Sequence, residues 1–140
     1  MKEKISFPLN KLQHIGIPVT DLVRSTAFYE KLGFDRVMQA PFTIEGQDGI
    51  CTMMENNGIT VELYQLPEHL LLEISKRDHG HVDHIAFDVP DIEHAYRELK
   101  NGGFSILEEA PVHLDFWGKG CRYFNVIGPD GERLEFNQIL

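Results

Sequence analysis

The stretch HIGIPVTD at residues 14–21 recurs as HIAFDVPD at residues 84–91, and this repetition decides the fold. The same offset of 70 residues relates Gly33 to Gly103. Further on, the triplet VEL around Glu62 has a counterpart, LEF, around Glu135. Because similarity at a fixed spacing marks a duplicated structural unit, the chain is predicted to contain two copies of one module.

Each copy begins with an alternating strand that is followed by a helix. Apolar and polar residues alternate along residues 13–19 and 83–89, which is the pattern of a strand with one buried face. Asp21 and Asp91 follow these strands in the position of helix N-caps. The predicted helices end at glycines that favour the positive φ of a helix C-terminus, namely Gly33 and the Gly102-Gly103 pair.

The last part of each copy contains three strand-like runs. The dipeptides Asn57-Gly58 and Asp130-Gly131 are typical of tight hairpin turns. Directly after the two helices we expect strands at 35–39 and 105–109. The runs beside the hairpin turns cover residues 50–54, 60–65, 121–127 and 133–139.

These elements predict an α+β fold built from two βαβββ modules. The first module covers about residues 11–66 and the second about 81–140, with a polar, partly helical connector at 67–80. At 140 residues the whole chain has the size of one domain, 1–140.

The composition excludes several classes of partner. A formal net charge of −9 without a basic stripe disfavours nucleic acid and anionic membranes. No apolar run approaches the roughly 18 to 20 residues of a spanning helix, so we expect no membrane partner. Two cysteines without CxxC spacing and an N-terminus without an apolar signal segment favour a cytoplasmic protein.

Four polar residues interrupt the apolar pattern at equivalent places in the two modules: His14, Glu62, His84 and Glu135. Strand alternation puts all four on the face turned away from the helices. Two carboxylates buried together are costly unless a cation compensates them. The quartet therefore predicts one divalent metal ion per site, and its nitrogen and oxygen donors suit Ni²⁺, Zn²⁺, Co²⁺, Mn²⁺ or Fe²⁺. The alternative is a purely structural duplication whose histidines are satisfied core residues.

The motifs resemble the vicinal oxygen chelate superfamily, which includes glyoxalase I, methylmalonyl-CoA epimerase, extradiol dioxygenases and fosfomycin-resistance proteins. The resemblance spans residues 11–140. It rests on the two repeated His strands, on FYEKLGF at 28–34 and on GPDGERLE at 128–135. It implies the glyoxalase/bleomycin-resistance/dioxygenase fold, with a curved mixed sheet around a metal cleft, and a homodimer.

The ligand order is similar to that of glyoxalase I. The resemblance implies a lyase or isomerase that acts on a hemithioacetal, or on a related 2-hydroxy or 2-oxo compound, through an enediolate. Glu135 and its counterpart Glu62 would then carry the proton. Bacterial glyoxalase I has an Arg and an Asn for glutathione where this chain has Pro18 and Leu66, so a different thiol or another 2-oxo compound fits as well.

Two other functions stay open at this point. One is an epimerase of the methylmalonyl-CoA type, or another metal-dependent enzyme of the family. The other is a non-catalytic module that sequesters a small ligand, as bleomycin-resistance proteins do.

Several further residues are candidates for contact with a small-molecule substrate. Four of them are candidates to line the cleft: Tyr64, Trp117, Arg122 and Asn137. For Tyr64, Arg122 and Asn137 the alternative is a plain strand residue. Trp117 lies in the glycine-containing segment 113–120, which is either a lid or a surface loop. His79 and His81 are interpreted as solvated loop histidines, with a second metal site as the alternative.

Overall fold

The structure is a computed structural model that describes residues 4–77, 82–127, 129 and 133–140. It divides the chain into two compact units. One unit is His14–Asp83, and the other combines His84–Leu140 with the segment that ends at Gln13. Each unit contains a mixed four-stranded sheet, so the predicted α+β class with two βαβββ modules is confirmed.

The first unit follows the predicted order of elements, and the connector contains a helix as expected. Its elements are β1 (Lys11–Pro18), α1 (Leu22–Lys31), β2 (Asp35–Ile44), β3 (Gln47–Asn56), β4 (Ile59–Gln65) and α2 (Glu68–Ser75). Within this unit the strands run in the order β2-β3-β4-β1, with β1 parallel to β4 and the other pairs antiparallel. The core beneath α1 joins Leu22 to Met54, Val61 and Leu63.

The second unit repeats this arrangement, and three of its four strands are shorter than their counterparts. Its elements are β5 (His84–Asp88), α3 (Ile92–Asn101), β6 (Val112–Leu114), β7 (Cys121–Ile127) and β8 (Arg133–Ile139). The order within the unit is β5-β8-β7-β6, and β5 is parallel to β8. Apolar residues of α3 pack against the sheet, and Tyr96 meets Phe124 edge to face at 5.1 Å between ring centroids.

The N-terminal segment completes the core of the second unit. Ile5 and Phe7 pack against this core, and the ring of Phe7 lies 5.8 Å from that of Phe136. The backbone N–H of Asn10 donates to the carbonyl of Asp88 over 2.8 Å. The segment that precedes the first module in sequence is therefore a packing element of the second unit.

The predicted N-caps begin their helices as expected. The side chain of Asp21 accepts a hydrogen bond from the N–H of Arg24, and that of Asp91 accepts one from His94. The backbone at both caps is extended, with φ near −147° and −146°. None of the helices in the described ranges is both long enough and apolar enough to cross a membrane.

The first predicted hairpin turn is confirmed. Asn57 and Gly58 have φ of 50° and 84°, which is the left-handed backbone that this dipeptide favours. The N–H of Gly58 donates to the carboxylate of Glu55 over 2.8 Å. The equivalent Asp130-Gly131 turn, like His79 and His81, lies outside the described residues.

The prediction of a strand at residues 105–109 is wrong. An isolated bridge between Ile106 and Val126 takes its place, and β7 pairs instead with β6. The carboxylate of Glu108 accepts hydrogen bonds from the backbone N–H and the side-chain amide of Asn125. A side chain thus occupies the position beside β7 where a backbone partner would lie, so the ladder stops.

Replacement of the α3 N-cap is expected to destabilise the fold. Asp91→Ala leaves a helix N–H without its acceptor, which costs about 1 kcal/mol of unfolding free energy. Asp91→Asn keeps a capping oxygen and should stay close to wild type. Urea unfolding of the three proteins measures the difference, and equal stabilities for Asp91→Ala and wild type would contradict the capping role.

Candidate metal centre

One histidine and one glutamate approach each other in each unit. In the first pair, His14 Nε2 lies 3.8 Å from Glu62 Oε2. In the second pair, His84 Nε2 lies 3.6 Å from Glu135 Oε1. The same two residue types therefore meet twice, at equivalent positions of the duplicated module.

Strand pairing explains why the pairs form. Parallel pairing of β1 with β4 sets Gly16 opposite Glu62, and that of β5 with β8 sets Ala86 opposite Glu135. Each histidine stands two residues before the small residue, on the same face of its strand. With no bulky side chain directly opposite on the parallel strand, each glutamate has room to lean towards its histidine.

The helices cover the other face of each sheet. Val61 and Leu63 flank the first glutamate and belong to the core beneath α1. Leu134 and Phe136 flank the second glutamate and pack with α3. Because side chains alternate along a strand, both glutamates point away from the helices, as the sequence predicted.

The distances within the pairs are longer than hydrogen bonds. N–H···O bonds to a carboxylate are about 2.7–3.2 Å long, so separations of 3.6 and 3.8 Å are not direct hydrogen bonds. Two atoms that each bind one ion at about 2.1 Å are ~3.0 Å apart at a right angle and ~4.2 Å apart across the ion. The separation in each pair therefore fits two ligands of a common ion.

Burial and donor type also fit a divalent cation. The side chain of His14 is 1% exposed, and those of Glu62 and Glu135 are 12% and 10% exposed. Carboxylates at this depth are stabilised by a positive charge. Imidazole nitrogen with carboxylate oxygen is a donor set for Zn²⁺ or another first-row divalent metal.

The second glutamate has a further contact, with the side chain two residues after it on β8, and the first module has a different residue at the equivalent position. Asn137 Nδ2 donates to Glu135 Oε2 over 3.0 Å, and Asn137 is 3% exposed. The equivalent residue of the first module is Tyr64, which presents an aromatic ring. Asn137, a predicted substrate contact, thus holds Oε2 of Glu135, whereas Oε1 is the oxygen that approaches His84.

Residues 11–136 match the model of the Glyoxalase/Bleomycin resistance protein/Dioxygenase superfamily. The chain belongs to this superfamily. Its members are typically enzymes, among them epimerases, lyases and dioxygenases, and they generally bind a divalent metal. The resemblance inferred from the repeated motifs is therefore confirmed.

Relatives of this superfamily member are similar over nearly their whole length. The uncharacterized protein YwbC of Bacillus subtilis is 31% identical over 132 residues, which cover 91% of this chain and 97% of that protein. Methylmalonyl-CoA epimerase from Mycobacterium tuberculosis has a similar structure, with a TM-score of 0.77 at 18% identity over 99% of this chain and 93% of the epimerase. The hypothetical protein BH1468 from Bacillus halodurans C-125 gives 0.72 at 24% identity, over 93% and 94% of the two chains. At these identities the solved structures show a shared fold.

Tyr64 is the predicted substrate contact of the first unit. It lies two residues after Glu62 on β4, and so on the same face. Its ring meets that of Phe42 edge to face, with 6.3 Å between the centroids, and the residue is 9% exposed. Tyr64 therefore extends the surface that carries the first pair.

Arg122 and Trp117 lie in other surroundings. Arg122 lies on the face of β7 opposite to that of Asn125, which pairs with Glu135. Its guanidinium forms an ion pair with Glu93 of α3. It therefore does not share the face of the second pair. Trp117 lies in the loop before β7 with φ of 62°, and its buried indole N–H makes no hydrogen bond to the described residues.

Asn125 is a residue of this face that the sequence did not single out. It lies directly opposite Glu135 in the β7–β8 register and is 6% exposed. Its Nδ2 donates to Glu108, whereas its buried Oδ1 accepts no hydrogen bond from the described residues. An asparagine in an apolar strand was the available signal, but strand asparagines have no single meaning without the register.

Metal binding is expected to stabilise the protein through the paired residues. Zn²⁺ or Ni²⁺ at 100 times its dissociation constant should add about 2.7 kcal/mol to the unfolding free energy. His84→Ala should lose most of the resulting increase in melting temperature, because it removes one donor from the second pair. Thermal melts with and without the metal provide the measurement.

His69→Ala is the matched control for this experiment. The imidazole of His69 is more than one third exposed and forms an ion pair with Glu45. The metal-dependent shift should survive this change. A shift that survives in His84→Ala as well would contradict a metal role for the second pair.

Proposed function

We propose that this protein is a metal-dependent enzyme that moves a proton at a carbon next to a carbonyl group. Its ligands in this proposal are the four residues inferred from the sequence, His14, Glu62, His84 and Glu135. The observation that carries the proposal is the repeated approach of a buried histidine and glutamate at a separation suited to a shared ion. A non-catalytic ligand-binding role would not require these buried carboxylates.

The chain supplies a base whose two oxygens have different surroundings. A divalent ion bound by these residues would act as a Lewis acid that polarises the substrate carbonyl and stabilises the negative charge formed on deprotonation. Glu135 Oε2 is held by Asn137, whereas Oε1 faces His84. We assign the proton transfer to the carboxylate of Glu135, with Glu62 as its counterpart in the first module.

The leading reaction in this proposal is epimerisation of a 2-substituted acyl thioester. Methylmalonyl-CoA epimerases recur among the solved structures that share the fold. Epimerisation needs a base that removes the α-proton and an acid that returns a proton to the opposite face. Two carboxylates at equivalent places of a duplicated module would supply these two roles.

A glyoxalase-type isomerisation is the second candidate, and Asn125 favours it. A buried carbonyl oxygen without a donor costs about 1–3 kcal/mol, unless a ligand or water supplies the hydrogen bond. A hemithioacetal carries a hydroxyl on the reacting carbon, which could donate to Asn125 Oδ1 beside Glu135.

A homodimer and a cytoplasmic location stay predictions from the sequence.

Proton exchange into the substrate tests the leading reaction. Protein loaded with Co²⁺ should incorporate deuterium at the α-carbon of methylmalonyl-CoA in deuterated water, as followed by mass spectrometry. Glu135→Gln should slow the exchange by about 10²-fold or more, because an amide cannot accept the proton. Glu73→Gln, which alters an exposed carboxylate of α2 that pairs with Arg77, is the matched control and should react like wild type.

A parallel assay separates the two candidates. If epimerisation is the activity, methylglyoxal with a panel of thiols should give no thioester product. If the glyoxalase hypothesis is correct, a thioester should form, and its formation should depend on Glu135. If the Co²⁺-loaded protein is inactive in both assays, or if Glu135→Gln retains full activity, the proposed proton transfer is wrong.

A further inference from the structure

A chain of side-chain hydrogen bonds leads from the start of β1 to Glu135. Gln13 Nε2 donates to Asp88 Oδ1 over 2.9 Å and to Asn137 Oδ1 over 3.1 Å. Asn137 Nδ2 then donates to Glu135 Oε2 over 3.0 Å. The other oxygen of Asp88 accepts from the side-chain amide of Asn10 over 2.8 Å. All of these residues belong to the second unit.

The surroundings determine the orientation of both amides. Gln13 Nε2 faces a carboxylate oxygen and two oxygens of Asn137, one from the side chain and one from the backbone carbonyl at 3.3 Å. An amide oxygen in this position would face three acceptors, so the nitrogen must lie there. The Asn137 oxygen then faces Gln13, which leaves the Asn137 nitrogen directed at Glu135.

This orientation has a consequence for the carboxylate. Gln13 is 6% exposed and Asn137 is 3% exposed, so little water competes for these hydrogen bonds. The bond from Asn137 fixes one oxygen of Glu135 and leaves the other, Oε1, directed towards His84. If the Asn137 amide turned over, its oxygen would face the Glu135 carboxylate and repel it.

We infer that Gln13 is a positioning residue, which acts through Asn137 to hold Glu135 in the orientation that binds metal. The inference rests on the proposed metal-dependent function. Gln13 lies in the N-terminal part of β1, and the equivalent position of the second module is Asp83, so the repeat does not reveal it. Residues that orient a metal ligand typically change metal affinity 10- to 100-fold when they are replaced.

Co²⁺ binding alone tests this positioning role. Gln13→Met has a similar shape but no donor, and it should weaken Co²⁺ binding by about tenfold in calorimetry and alter the visible Co²⁺ spectrum. Asn137→Leu should weaken binding at least as much. Because Gln13 is inferred to act through Asn137, the double variant should bind no more weakly than Asn137→Leu.

Gln138→Met is the matched control. Gln138 is a half-buried glutamine on β8 whose oxygen accepts from the N–H of Ile92, at the start of α3. It should lower stability without changing Co²⁺ affinity. Gln13→Met with wild-type affinity, or a double variant that shows the product of the two single effects, would overturn the positioning role.

Wild-type protein gives two further decisive results. If it binds no Co²⁺, the proposed metal-dependent function fails, whereas binding with an unaffected Gln13→Met contradicts only the positioning role. If Gln13→Met does not fold, nuclear magnetic resonance of the wild-type Asn137 side-chain amide decides. Slow exchange of its protons with water supports the fixed orientation, and rapid exchange like that of an exposed amide overturns it.

Discussion

The central constraint on this structure is the buried pair of a carboxylate and an imidazole in each module. The two groups of a pair lie close together without a direct hydrogen bond between them. Such a carboxylate is costly to bury, and the cost falls when a cation shares its charge. The sheets prepare the arrangement, since a glycine or an alanine stands opposite each glutamate on the parallel strand. The helices take the other face, so the apolar core and the polar surface use alternate residues of the same strands.

Duplication produced two similar sheets, but the surroundings of the two glutamates differ. Asn137 holds the second glutamate, whereas the equivalent Tyr64 adds a ring beside the first. Across the neighbouring strand, Asn125 lies opposite the second glutamate and Met53 lies opposite the first. The two glutamates therefore have different neighbours on the strand positions next to them. This asymmetry suits a reaction in which two equivalent carboxylates perform different tasks.

The repeat predicted most of the fold, because strand alternation, N-cap aspartates and turn dipeptides are local signals that two copies reinforce. The prediction of a strand at 105–109 failed because the side chain of Glu108, and not a backbone carbonyl, accepts the hydrogen bond from the N–H of Asn125. Residues whose role depends on strand register or on distant contacts could also not be recognised from the sequence. Gln13 becomes significant only once its hydrogen bonds to Asp88 and Asn137 are known, and the face on which Arg122 lies follows from the register of β7 with β8.

The unit that was duplicated is not the unit that packs. The repeat begins at residue 84, yet the second compact unit also contains Ile5, Phe7 and Gln13 from the start of the chain. A fragment cut at the connector would reproduce the repeat but lose part of its hydrophobic core and one end of the hydrogen-bond chain to Glu135. Recombination between relatives at this connector would meet the same obstacle, so an exchanged C-terminal half needs a compatible N-terminal segment to go with it.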